Sequence, residues 1–320
     1  MVLASHLTRH FDVDRMGKVE FGNLGIFGVL LFFVHTSLVL MYSMRRSGLT
    51  GIGLAKEFYI RRLFRIYPLS IVTILTAVAL HLHAGMRGLA SGPRPGPVEL
   101  VSNLLLMQNL TGSLPVVGPL WSLPIEVQMY VFLPILFLWR KRSLWRLLAL
   151  WVMCGLLGHF VLAVPALGCF TLLLFVPNFL PGIIAFGLPE NRTIPAYLWP
   201  LFILLLALLY LLSPGRQSGA EACLLLGLAL PRFKEITFRP LQLISNRIAT
   251  YSYGIYLGHS FFIWYALTQH NSWILFWLLW IVVPVVLYHG LEHPAIKFGT
   301  RLATRASQPQ IAALPEGVRG

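Results

Sequence analysis

Ionisable side chains interrupt the apolar stretches of this chain at few places, chiefly His6, His35, Glu126, His159, His259 and His289. Such groups are costly at membrane depth, so each is a candidate for function by default. His6 precedes the polar stretch Thr8-Arg9-His10. An imidazole exchanges its proton near neutral pH and can take one from a hydroxyl, which makes His6 a candidate general base. The plainer alternative is a histidine that closes a helix. His10 is a second candidate base but lies further into the polar stretch. Glu126 stands in Pro119-Leu-Trp-Ser-Leu-Pro-Ile-Glu-Val-Gln-Met-Tyr130. Pro124 suits a first helical turn, which places Glu126 in that turn and Ser122 one turn earlier on a similar face. A carboxylate there can orient a histidine or bind a sugar hydroxyl; it can also simply complement the helix N-terminus.

The run Phe58-Tyr-Ile-Arg-Arg-Leu-Phe-Arg-Ile-Tyr-Pro68 brings Arg61 and Arg62 each next to Arg65 on a helix. Grouped guanidinium groups suit phosphate, because each donates two parallel hydrogen bonds. Anchoring at a cytoplasmic boundary predicts the same residues. His259, within Tyr251-Ser-Tyr-Gly-Ile-Tyr-Leu-Gly-His-Ser260, is either structural or part of a site, and His35 with Thr36 and Ser37 is placed to line an internal cavity. His159 and His289 read as packing or boundary residues. Cys154, Cys169 and Cys223 all fall in apolar stretches, so they read as packing residues and suggest neither disulfides nor a metal site.

The elements that must position these groups are set by composition. The chain is 57% hydrophobic and 11% charged, with a mean hydropathy of +0.74, so its solvent is lipid. The expected fold is all-α, a polytopic transmembrane bundle forming one domain over residues 1–305, with a disordered cytoplasmic tail at 306–320. Expected spans are 22–44, 66–83, 124–139, 145–165, 168–188, 196–213, 221–231, 250–268 and 272–292. Residues 1–6 read as the end of a truncated first span, making about ten. The Gly- and Pro-rich loop 84–123 should be irregular, with a further helix at 98–110.

A net charge of +14 raises the question of nucleic acid, but the basic residues gather in loop clusters at Arg45 to Arg65, Arg140 to Arg146, Arg232 to Arg247 and Lys297 to Arg319. Placing those clusters and Arg192 inside leaves only Arg9, Arg15, Lys18, Arg87, Arg94 and Arg216 outside, with the truncated first span running outward. His6 and Glu126 then share one depth near the outer side, which makes a joint site possible.

Together the motifs resemble the acyltransferase 3 family of integral membrane acyltransferases. The matching pieces are Leu31-Phe-Phe-Val34, Arg61-Arg-Leu-Phe-Arg-Ile-Tyr-Pro68, Trp121-Ser-Leu-Pro-Ile-Glu126 with Tyr130, Tyr251 to His259, and Glu292-His-Pro294. The resemblance implies a multi-pass protein of a bacterial inner membrane that uses cytoplasmic acyl-CoA, most often acetyl-CoA, to O-acylate a cell-envelope carbohydrate. It has no tightly bound cofactor and no metal. By the same resemblance His6 is the catalytic base, Glu126 the acid of the Trp-Ser/Thr-Leu-x-x-Glu motif, and Arg62 and Arg65 the donor-binding Arg-x-x-Arg. Trp121, Ser122, His35 and His259 are candidates for substrate binding. The family's first-span arginine would precede Met1, and its usual Leu-Ser-Gly is here His35-Thr36-Ser37. Rival readings are a transporter or flippase for a glycan or small acid, relaying protons through its histidines, and a non-catalytic scaffold of a polysaccharide-synthesis complex.

Overall fold

In lipid every backbone polar group must be satisfied within the protein, and apolar helices do this locally. The computed structural model describes residues 1–13, 15–16, 19–85, 88–139, 144–164 and 169–307. Among them are helices α1 (Val2–His10), α2 (Gly22–Ser47), α3 (Gly51–Ala79), α4 (Pro97–Leu104), α5 (Gln108–Thr111), α6 (Leu123–Trp139), α7 (Leu144–Ala163), α8 (Leu172–Gly187), α9 (Trp199–Leu212), α10 (Arg216–Ala229), α11 (Arg239–Phe262), α12 (Trp273–Leu287) and α13 (His293–Ser307). Short antiparallel hairpins pair β1 (Arg15–Met16) with β2 (Val19–Glu20), and β3 (Leu82–Gly85) with β4 (Gly88–Ser91).

The protein is a helical membrane protein. Among the described residues, five stretches are long and apolar enough to cross a membrane: α2, α3, Gly118–Trp139, α7 and the continuous Trp273–Ser307, with α8 and Ala196–Leu212 as shorter apolar helices. The ten-span expectation is therefore met only in part. Two differences have clear physical causes. α3 begins well before the apolar run at 66, because Glu57 and Arg61 pair one turn apart and carry the helix through its polar half. The span expected to end at residue 292 continues: α12 is followed by a π-helical turn, Tyr288–Glu292, that leads directly into α13. The loop expected to be irregular contains the β3–β4 hairpin and α4, and α4 stops at Leu104 rather than 110. Of the expected tail, Ala306 and Ser307 belong to α13, and 308–320 lie outside the described residues.

α2 is the axis of the bundle. Phe27, Phe33 and Met41 on it are fully buried, and Phe33 stacks on Phe179 of α8 with ring centroids 4.2 Å apart. α8 can lie this close because Gly182 faces α2: a Cβ there would collide with Ser37 Oγ and the Val34 carbonyl. Ser37 Oγ in turn donates to the Phe179 carbonyl at 2.7 Å. Pro181 interrupts α8 and leaves the carbonyl of Pro177 without its helical donor. Trp151 Nε1 of α7 supplies one at 2.9 Å. α13 packs on α3 where Gly299 meets Phe64, again with no room for a Cβ.

Candidate active site

The position of His6 follows from three glycines. Gly22, Gly25 and Gly28 recur every third residue on α2 and form a groove for α1. Arg9 lies over Gly22, Ser5 over Gly25 and Val2 over Gly28, where a Cβ would stand only 3.3 Å from Val2 Cγ2. Ser5 is buried, and its hydroxyl returns to the Val2 carbonyl at 2.8 Å. With α1 seated, the His6 ring meets that of His259 on α11, centroids 4.8 Å apart and planes tilted by 56°.

His259 is nearly sealed, at 2% exposure. Its Nδ1 lies 2.6 Å from the Tyr256 carbonyl, and a carbonyl only accepts, so Nδ1 carries the proton of the neutral ring. Nε2 is left as a buried acceptor with no hydrogen-bond partner among the described residues. Tyr256 is fixed in its turn. Its hydroxyl donates to the Pro119 carbonyl at 2.9 Å, so the hydroxyl of Ser122, 2.8 Å away, donates to Tyr256.

Glu126, in the first turn of α6, is 6% exposed and accepts a hydrogen bond from Tyr130 one turn along. It lines an inner cavity of about 430 Å³ together with Arg62, Arg65, His35, Tyr130 and His259. A second, outer cavity of about 530 Å³ is lined by His6, Arg9, Trp121, Asn178, Tyr256 and Arg216, among others. The two are stacked along α2, one against its first nine residues and the other against residues 28–40. Val2, Val29 and Tyr256 face both, and the His6–His259 contact spans the boundary.

The candidate residues thus fall into two groups. Glu126, His35, His259, Arg62 and Arg65 face the inner space, as does Ser122; His6 and Trp121 face the outer one. His6 and Glu126 line adjacent rooms, and the ring that His6 touches is that of His259. Trp121 packs on Phe175 with centroids 5.7 Å apart. His159 and His289 face neither cavity, and His289 has the Tyr251 hydroxyl 3.3 Å away.

Glu292 entered the sequence reading only within Glu292-His-Pro294 and was not among its candidate site residues. Its side chain is 1% exposed and forms an ion pair with Arg65, whose guanidinium also lies 5.4 Å above the Tyr253 ring. The Tyr253 hydroxyl donates to the Ile66 carbonyl at 2.8 Å. The signal was present: an acid inside the apolar stretch 272–292 meets the same criterion that singled out Glu126. Among the described residues no cluster of His, Cys, Asp and Glu could hold a metal ion.

A family model described as "Acyltransferase domain" matches residues 1–288. No curated protein and no solved structure matches the chain.

Proposed function

The chain belongs to this acyltransferase family, and from that membership we propose that it is an O-acyltransferase of the inner membrane, carrying an acyl group from cytoplasmic acyl-CoA to a hydroxyl of an envelope carbohydrate. The observation that carries the reading is the pair of stacked cavities joined at the His6–His259 contact. Arg62 and Arg65 provide cations for the phosphates of the nucleotide, and the mostly apolar inner cavity suits a pantetheine arm. In the outer cavity, aromatic Trp121 and polar Asn178 suit a sugar. The acyl group then has only the boundary to cross.

In this scheme His6 accepts the proton of the acceptor hydroxyl as its oxygen attacks the thioester carbonyl. The carbon–sulfur bond breaks, the ester forms, and the thiolate of CoA leaves and takes up a proton. Alignment of the two substrates and base catalysis supply the acceleration. His259, whose Nε2 has no hydrogen-bond partner among the described residues, meets His6 at the same boundary, and Glu126, held by Tyr130, lines the donor side. The full topology in this reading has about ten spans.

The test is turnover of radiolabelled acetyl-CoA by purified protein in nanodiscs, with envelope glycan as acceptor. Label should appear in the glycan as an ester. His6→Ala should lower the rate by about 10²–10⁴-fold, the usual contribution of a positioned base. Glu126→Gln should lower it too. Undiminished transfer by both variants would remove these residues from the chemistry, and transport of the glycan without ester formation would favour the flippase.

A further inference from the structure

The six basic residues placed outside are the ones that the inward preference of Lys and Arg does not explain. Three of them, Arg9, Arg94 and Arg216, have side chains that the structure describes. Arg94 is engaged, its Nε donating to His81 Nε2 at 3.1 Å. Arg9 and Arg216 form no ion pair among the described residues, and both line the outer cavity. They reach it from separate elements, the last turn of α1 and the first residue of α10. Among the described residues, no Asp or Glu lines that cavity. Glu221, further along α10, accepts from Gln217 at 3.0 Å. The placement of Arg9 is built into the packing, since its guanidinium lies over the bare Cα of Gly22, where a Cβ would stand 3.0 Å from its Nη2.

Two guanidinium groups with no acidic partner among the described residues, lining the cavity that also holds the candidate base, form a receptor for an anion on the acceptor. Resting on the acyltransfer reading above, we propose that the acceptor is an acidic glycan, whose carboxylate or phosphate group is held by Arg9 and Arg216 while a hydroxyl reaches His6. A neutral sugar would leave both cations without a partner and would gain only the aromatic and amide contacts of Trp121 and Asn178. Charge-assisted hydrogen bonds are about twice as strong as neutral ones, so the anion should dominate selection.

The experiment compares binding of a glucuronate-containing tetrasaccharide with binding of its carboxyl-reduced, neutral counterpart. Titrations follow tryptophan fluorescence or heat, with the full chain in nanodiscs of zwitterionic lipid and no acyl-CoA present. The acidic sugar should bind at least about tenfold more tightly, a ratio that shrinks as salt is raised. Arg9→Gln and Arg216→Gln should each collapse that ratio, and Arg9→Lys should retain part of it. A ratio within one preparation is independent of the fraction of folded protein. Equal affinity for the two sugars, no binding of either, or an unchanged ratio in both Gln variants overturns the proposal. So does loss of the preference on adding phosphatidylglycerol, which would assign the arginines to a lipid headgroup. Selective binding without acyl transfer would sink the enzymatic reading and leave the anion site standing.

Discussion

At the scale of single residues, the buried pair of Arg65 and Glu292 tests how the inner cavity keeps its charge. Glu292 is sealed, whereas the side chain of Arg65 is 25% exposed. Glu292→Gln therefore leaves a cation that solvent can partly reach, at a cost of about 1–3 kcal/mol rather than the 3–5 expected of a fully sealed pair. Thermal unfolding in detergent should show the loss, and adding Arg65→Gln should restore part of it; a Glu292→Gln protein that melts like the parent would exclude the pair. Tyr256→Phe deprives the Pro119 carbonyl of its donor and Ser122 of its acceptor, for about 1 kcal/mol. Once Tyr256 is Phe, Ser122→Ala should add little, a non-additivity that a double-mutant cycle would read directly. Ionisable residues such as His6 and Glu126 were legible in the sequence because lipid makes them conspicuous. The bonds of Tyr253 and Tyr256 were not, since an aromatic residue in an apolar run looks like packing until its hydroxyl is seen to reach a partner on another element. Glu292 was quoted in a motif but not singled out for the site, because its neighbours Tyr288, His289 and His293 make the end of the run resemble a boundary.

At the scale of elements, close approach of backbones does what hydrophobic collapse cannot do in lipid. Gly182 on α8 and Gly227 on α10 each lie where a Cβ would strike a neighbour, at Ser37 and Val34 in the first case and at the backbone of Pro181 in the second. Gly182→Ala or Gly227→Ala should cost about 1–3 kcal/mol through overpacking. Gly155 on α7 has open space around it, so Gly155→Ala should leave the melting temperature unchanged or slightly raised. The spacing of Gly22, Gly25 and Gly28 was visible in the sequence, but nothing local says which helix uses the groove. Hydropathy likewise marks only the apolar half of α3, because the polar half is helical by virtue of Glu57–Arg61 and of α13 lying over it. At the surface, Arg192 bridges Glu190 at 2.6 Å and Glu235 at 2.7 Å, tying the loop after α8 to the segment before α11. The Arg192 guanidinium, helped by the Tyr42 hydroxyl, holds the Glu190 carboxyl below its usual range. A carboxyl depressed in this way favours the docked loop above the ordinary carboxylate range and loses that preference as the pH falls through its folded value. The protection of residues 188–198 against hydrogen exchange, corrected for the intrinsic rate at each pH, should accordingly fall under acid, and unchanged protection would show that Arg192 holds nothing.

At the scale of the whole molecule, the proposed chemistry requires that the two cavities open to opposite sides. The Arg62 end must face the compartment that holds acyl-CoA, and the Arg9 and Arg216 end must face the acceptor. Charge alone assigns those sides, and the described helices supply the frame: α2 runs past both cavities, so reversing the protein would exchange donor and acceptor at once. Reporter cysteines can read the orientation, because Ser91 and Thr193 are exposed and lie on loops assigned to opposite faces. In intact cells a membrane-impermeant maleimide should label Ser91→Cys and not Thr193→Cys, relative to the parent chain with its Cys154, Cys169 and Cys223. Opening the membrane should expose Thr193→Cys. The reverse pattern would put Arg62 and Arg65 outside, away from any cytoplasmic thioester, and would leave His6 facing a compartment without envelope glycan; the base and the donor site would then both be on the wrong side for the reaction.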